Sequence, residues 1–328
     1  MYKAFFNLTR NPFDLTPDPA CFVPTKWHNE ALAALYYGIR RHKGFVVLTG
    51  EVGTGKTLLL RCLIGLLKES KDVAYAYIFN GRLSPTEFLQ YILSDFGLPV
   101  SGKNKSDLLF GLGQFLVSRD SRKMTTVLIV DEAHHLSADL LEEIRLLSNL
   151  ETDDDKLLQI VLVGQSELDE KLDSVDLRQL KQRIAVRAQL GSLDADEATR
   201  YIHQRLQIAG GNSCNSPLFS AQTIAAVYRH SRGLPRLINT ICENALITAY
   251  ARQLPNVPPD VIEDVAKEFR LGVVCQPETG KNRGFNEIDA QRITDLLHHL
   301  YVSLRTPIVN EPDLGTALAE VNKHEPYI

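Results

Sequence analysis

The 328-residue chain holds few of the residues that make specialised scaffolds: five cysteines, two methionines and one tryptophan. Cys21, Cys62, Cys214, Cys242 and Cys275 are odd in number, far apart and without a C-x-x-C pair. That argues against a disulfide framework and a zinc site, and fits a reducing cytoplasm. Apolar runs are short. None approaches the roughly 18 to 20 residues of a membrane helix, and the N-terminal Met1-Tyr-Lys-Ala reaches charge too early for a signal peptide. Charge of one sign is also missing: 36 Lys+Arg against 40 Asp+Glu leave a net charge of -4. No global field draws the chain to nucleic acid or anionic lipid, although local basic patches stay open. There is no internal repeat and no low-complexity tract. What is present, 44% hydrophobic and 23% charged residues, is the balance of a soluble globular chain of about two domains.

The apolar pattern divides the chain. Ala31, Leu32, Leu35, Tyr36 and Ile39 recur at helical spacing between residues 25 and 41, and Gly44 ends them. Phe45 to Thr49 reads as a buried strand. A glycine-rich turn follows, then a helix from Lys56 to about Lys68 that is apolar nearly all round. Val73 to Phe79 is the next strand, and Ser84-Pro-Thr-Glu87 carries a capping box with proline at the first helical position. Val127 to Val130 and Gln159 to Val163 are further strands, separated by a helix from about Ser137 to Leu150, with a weaker fifth strand near Ala185 to Leu190. Strands alternating with helices predict an α/β domain over 45–191, a parallel sheet with helices on both sides. Residues 1–44 are expected to pack on it. Strand signals cease after Leu190. Helices from Asp194, Ser220, Pro235 and Asp260 form an all-α second unit over 192–270. Residues 271–285 read as a linker and 286–306 as an amphipathic helix carrying Ile293, Leu296, Leu297, Leu300, Tyr301 and Leu304. The Pro-bearing 307–328 reads as an extended or mobile tail.

Chemistry concentrates in five segments. Gly50-Glu51-Val52-Gly53-Thr54-Gly55-Lys56-Thr57, followed by Leu58, is a complete G-x-x-x-x-G-K-[ST] sequence between a strand and a helix. Its glycines let backbone N–H groups wrap a β-phosphate while the helix adds its dipole. Lys56 would reach the β/γ-phosphates, and the Thr57 hydroxyl would hold Mg²⁺. Val127-Leu-Ile-Val-Asp131-Glu132 ends a strand in two carboxylates with separate tasks: Asp131 supports Mg²⁺ and Glu132 polarises an attacking water. Gln165, after the strand ending at Val163, is placed to position that water, and an ordinary loop role competes with this. The basic segment Leu177 to Arg187, read as helical, offers Arg178 and Arg183 as an arginine finger reaching a neighbouring subunit. Between these two the sequence does not choose. Gly233-Leu-Pro235-Arg236 starts a helix and holds Arg236 where it could meet a γ-phosphate.

In this order the segments resemble an AAA+ ATPase: phosphate loop, carboxylate pair, polar sensor, finger arginine and lid sensor. The chain is similar, more narrowly, to the ExeA/GspA-like ATPases of bacteria. Asn11-Pro-Phe13, His28-Asn-Glu-Ala-Leu32, Leu48 to Thr57, Asp131-Glu-Ala-His-His-Leu136, Val161-Leu-Val-Gly-Gln165 and Leu234-Pro-Arg-Leu-Ile-Asn239 carry the resemblance, which runs from about residue 5 to 270. It implies a P-loop αβα sandwich with a helical lid, ATP and Mg²⁺ as cofactors, and a homo-oligomer in ring or filament form. It also implies an envelope role in general secretion or an exosortase-linked system, with a protein client at the inner membrane and a cytoplasmic location that can be peripheral to that membrane. Secretion members typically continue into a membrane helix and a peptidoglycan-binding domain, and neither pattern follows Leu271. Ser166 stands where the family often has proline. The alternative is a DNA-bound regulator like the transposition-helper ATPases (TnsC, TniB and MuB-like), with duplex DNA as partner. The helicase reading of Asp-Glu-Ala-His134 fails, because a second RecA-like domain has no room. His134-His135 and His298-His299 read as surface or packing residues, Trp27 as core or adenine-side packing, and the basic clusters at 40–43 and 119–123 as solvated faces, with contact to phosphate backbones as the alternative.

Overall fold

The computed structural model describes residues 1–16, 18–79, 83–153, 155–210 and 217–271. The linker past Leu271, the amphipathic helix and the tail lie outside them. In chain order the described elements are α1 (Tyr2–Phe5), α2 (Lys26–Arg40), β1 (Phe45–Gly50), α3 (Lys56–Glu69), β2 (Val73–Ile78), α4 (Pro85–Asp95), α5 (Lys105–Asp120), β3 (Thr125–Val130) and α6 (Ala138–Leu147). They continue with β4 (Gln159–Val163), α7 (Ser166–Leu172), α8 (Arg178–Arg183), β5 (Ile184–Leu190), α9 (Ala195–Ile208), α10 (Ala221–Ser231), α11 (Pro235–Ala251) and α12 (Pro259–Glu268).

The five strands pair in parallel in the order β2-β3-β4-β1-β5. Parallel crossovers leave helices on both faces, so successive residues of one strand must both be apolar. Phe45, Val47, Leu128, Val130, Ile160 and Leu162 face a cluster with Phe88 and Ile92 of α4, Leu112 of α5 and Ile144 of α6. Val46, Leu48, Val127, Ile129, Val161 and Val163 face Leu35 and Ile39 of α2 and Leu59 and Leu63 of α3. The order brings the C-terminal ends of β3, β4 and β1 side by side, and that edge collects the motif residues.

The helical unit is α9 to α12, opened by a capping box in which Asp194 accepts from Glu197 N–H. Its core takes in Tyr2, Phe6, Leu8 and Phe13, and this corrects the expected packing of the N-terminal segment. Phe22 and α2 lie on the sheet side as expected, whereas Tyr2 to Phe13 and Val23 join the lid. Arg205 secures that join: its buried guanidinium donates to the carbonyls of Pro12 (2.6 Å), Cys21 (2.9 Å) and Asp14 (3.1 Å). A buried charge is tolerated when its donors are satisfied in this way.

Three further differences have physical causes. Helix α5 was not expected, because Leu109, Phe110, Phe115 and Val117 blur the stripe of Leu108, Leu112 and Leu116 that it buries; Asn104 caps it through a capping box. Helix α7 is a short seven-residue segment burying only Leu168 and Leu172. The segment read as helical as far as Arg187 turns to strand at Ile184, where the weaker fifth strand near Ala185 to Leu190 was also expected, and β5 adds an edge to β1 as tertiary pairing outweighs local preference.

Candidate active site

The phosphate loop leaves β1 at Gly50 and enters α3 at Lys56. Gly53 and Gly55 adopt φ of +86° and +101°, a region L side chains rarely enter. A Cβ at Gly53 would stand 2.7 Å from Arg236 Cβ, and one at Gly55 would stand 2.8 Å from His28 Nε2. Both glycines therefore admit a close neighbour as well as a backbone turn. Lys56 is buried, with Nζ donating to Gly50 O (2.7 Å) and Glu51 O (2.8 Å). Burial lowers its pKa, opposed by the carboxylates of Glu132, Asp131, Glu167 and Glu51. Thr54 Oγ1 donates to Glu51 O at 2.9 Å. Glu51 and Val52 are exposed at the rim, and Thr57 and Leu58 are half-buried in the first turn of α3.

Asp131 follows β3 and is buried. Its Oδ2 accepts from Tyr77 Oη at 2.8 Å and its Oδ1 from Glu132 N at 2.8 Å. Desolvation nevertheless raises its pKa, with those two bonds opposing. A buried carboxylate that burial penalises suits a divalent cation. Glu132 is left-handed, φ 53° and ψ 35°, a strained region for a residue with a side chain. Its Oε2 is buried without a hydrogen bond and lies 3.5 Å from His134 Nε2. His134 Nδ1 accepts from Gln165 N at 3.4 Å, so Nε2 carries the ring proton toward Glu132. The ligand atoms of Glu132, His134 and His135 lie within 4.8 Å of one another, but that proton makes His134 a donor there rather than a metal ligand. Burial, then neighbouring His135, lowers the His134 pKa.

Gln165 stands at the tip of β4, before α7. Arg236 occupies the first turn of α11 behind Pro235, and its N–H donates to Gly53 O at 3.1 Å, so the lid rests on the phosphate loop. The two finger candidates are separated. Arg183 Nη1 is bound within its own chain to Ser148 Oγ (2.6 Å), Asn149 Oδ1 (2.6 Å) and Arg145 O (3.4 Å). Arg178 is exposed, with no polar partner among the described residues. Trp27 packs against the sheet's second core cluster, and a Cβ at Gly191 would come 3.2 Å from its ring. The basic clusters are occupied in part: Arg40 pairs with Asp72 (2.8 Å), and Arg119 donates to Thr126 Oγ1, Asp72 O and Thr125 O, whereas Arg41, Lys43, Arg122 and Lys123 are exposed. Sequence reasoning passed over two residues at this site, Tyr77 and His28. The first carried no motif signal, and the second was visible only within the family pattern.

Residues 39–172, from the end of α2 to α7, match the family described as an AAA domain. With the parallel sheet and helical lid, this makes the chain a P-loop ATPase of the AAA class. It is 44% identical over 253 residues to the General secretion pathway protein A of Aeromonas hydrophila, a match covering 77% of this chain and 45% of that protein. The resemblance carried by the sequence motifs therefore holds, and the chain spans less than half the length of this relative. Two solved structures share the fold. Cdc6p of Pyrobaculum aerophilum has a TM-score of 0.59 at 19% identity, covering 78% of this chain and 70% of its own. The ORC2 protein of Aeropyrum pernix, in ADPNP and ADP complexes, has a TM-score of 0.57 at 19% identity, covering 79% and 71%. Among the described residues no helix is long and apolar enough to cross a membrane.

Proposed function

We propose that this chain binds ATP with Mg²⁺, hydrolyses it to ADP and phosphate, and uses the cycle to energise or regulate a bacterial secretion or exosortase-type envelope system. The observation that carries the envelope role is the 44% identity to General secretion pathway protein A over 77% of the chain. The site supports the chemistry. Gly50 to Leu58 cradle the phosphates, whose oxygens replace Gly50 O and Glu51 O as partners of Lys56. Thr57 and Asp131 hold Mg²⁺, which offsets charge on the phosphates. Glu132, released from His134, accepts the proton of the attacking water, and Gln165 orients that water. Arg236 contacts the γ-phosphate from the lid.

The finger comes from a neighbouring copy in a ring or filament. Arg178 is the first choice because it gives up no bond within its own subunit, whereas Arg183 would give up three. Mixing each Arg→Ala variant with a Lys56→Ala chain decides between them: the true finger variant regains activity in the mixture. The client is a protein at the inner membrane, with the ATPase on its cytoplasmic side. The test of role is steady-state ATP hydrolysis with and without duplex DNA, using Glu132→Gln as the blank. A Glu132-dependent rate indifferent to DNA is expected. Strong stimulation that fades as salt rises would replace the envelope role by the DNA-bound regulator, a reading for which the exposed Arg41, Lys43, Arg122 and Lys123 would be the phosphate contacts, Arg40 and Arg119 being bound within the chain.

A further inference from the structure

The phosphate loop is gripped from outside by a side chain that precedes it by a whole helix and strand. His28, in the first turn of α2, is buried with both ring nitrogens engaged. Nδ1 lies 2.8 Å from Thr25 Oγ1, and Nε2 lies 3.1 Å from Thr54 O. A carbonyl can only accept, so Nε2 carries the proton and Nδ1 receives the threonine hydroxyl. The same Thr25 oxygen accepts from His28 N–H at 3.3 Å, which leaves its hydrogen for the ring. Burial pushes the His28 pKa down to about 4, and the ring is neutral in this arrangement.

Thr54 O and Gly55 N–H belong to one peptide unit. In a planar trans peptide the two point in opposite directions. A donor fixed on Thr54 O therefore aims Gly55 N–H away from His28, toward the inside of the loop where a phosphate would sit. That N–H has no acceptor among the described residues. Gly55 is also the N-cap of α3 in left-handed conformation, so no neighbouring helical bond fixes this peptide against a flip. The ring fits because Gly55 has no Cβ: one would stand 2.8 Å from Nε2.

We infer that His28 is a positioning residue for nucleotide binding, a neutral donor that locks the Thr54–Gly55 peptide with its N–H turned to the nucleotide's phosphates. It touches neither the nucleotide nor the reacting atoms. The inference rests on the proposed ATP site and deepens it. Losing one such bond should weaken ADP binding by about 5- to 10-fold, which is the worth of one hydrogen bond. Turnover at saturating ATP should stay within about twofold, because no group that moves only in the transition state has changed.

The experiment is isothermal titration of the full chain with Mg-ADP and with AMP, alongside ATPase kinetics, for His28→Ala, His28→Gln, Thr25→Val and Lys56→Ala. For His28→Ala, KM for ATP should rise with kcat kept, ADP affinity should fall while AMP affinity does not, and added imidazole should restore part of the loss. His28→Gln, whose amide can still donate to Thr54 O, should recover most of it. Thr25→Val, which loosens the ring without removing it, should cost less than His28→Ala. Native ADP affinity in His28→Ala would overturn the inference, as would equal losses for ADP and AMP. If His28→Ala does not fold, Thr25→Val and His28→Gln decide by the same ADP-to-AMP ratio. Lys56→Ala separates the two levels: if it keeps full nucleotide affinity, the ATP site itself is misassigned, whereas if it loses affinity and His28→Ala does not, only the role of His28 fails.

Discussion

The phosphate loop and the acidic edge lie two strands apart on one sheet, yet they are held in opposite ways. The loop is braced on every side: Arg236 N–H on Gly53 O, His28 on Thr54 O, and Lys56 folded back on Gly50 O and Glu51 O. The acidic edge keeps its tension. Glu132 sits in a left-handed backbone with a buried oxygen that makes no hydrogen bond and has His134 Nε2 no nearer than 3.5 Å, and burial raises the pKa of Asp131. A rigid cradle of N–H groups favours binding, because its donors are aimed before the anion arrives. Carboxylates with unmet demands favour chemistry, because a metal and a water can meet them. Binding and turnover should therefore separate cleanly by mutation.

The largest effect should come from removing the charge at the loop. Lys56→Ala is expected to weaken ATP and ADP by roughly 100-fold, as loss of a charge-assisted contact worth up to about 3 kcal/mol would do, with the thermal midpoint little changed; titration calorimetry and a melt check both. Retained affinity would break the contrast at its first term. Next, Glu132→Gln should keep nucleotide affinity while turnover falls by about 100-fold or more, within the range expected of a general base. Unchanged hydrolysis would remove Glu132 from the chemistry and leave its backbone strain without a task.

Arg205→Met probes the strap rather than the site. Three carbonyls lose their donor, so the unfolding free energy should drop by roughly 3 kcal/mol, read by denaturant titration, with Mg-ADP binding retained at low temperature. Loss of binding in the folded variant would show that the strap and the loop act as one unit. The smallest effect expected is that of Tyr77→Phe. Deleting the hydroxyl on Asp131 Oδ2 should raise the Mg²⁺ concentration needed for half-maximal ATPase by about 3- to 10-fold, the worth of one hydrogen bond, leaving kcat at saturating Mg²⁺ near native. An unchanged Mg²⁺ requirement would mean that Asp131 is oriented by its bond to Glu132 N–H alone.

Much of this was readable along the chain because it is local. Fully apolar runs such as Phe45-Val-Val-Leu and Val127-Leu-Ile-Val announce strands buried on both faces, and a glycine-rich turn between strand and helix announces an anion site. Helix α5 escaped because surplus apolar residues, Phe110 and Val117 among them, stay exposed and blur its period. The N-terminal segment was expected on the sheet because its neighbour α2 lies there; nothing in Tyr2, Phe6 or Phe13 says which apolar surface will receive them.

The amino-acid order by itself determined the parallel αβα core, the helical lid and the backbone chemistry of Gly50 to Thr57 and Asp131-Glu132, since each depends on residues close enough in sequence to share one element. Only the tertiary structure decided which distant side chains complete the site. Tyr77 reaches Asp131 across 54 positions and His28 reaches Thr54 across 26. Those contacts depend on strand order and on where two unlinked elements stop, and a pairing between residues with no shared period leaves no trace in a single sequence.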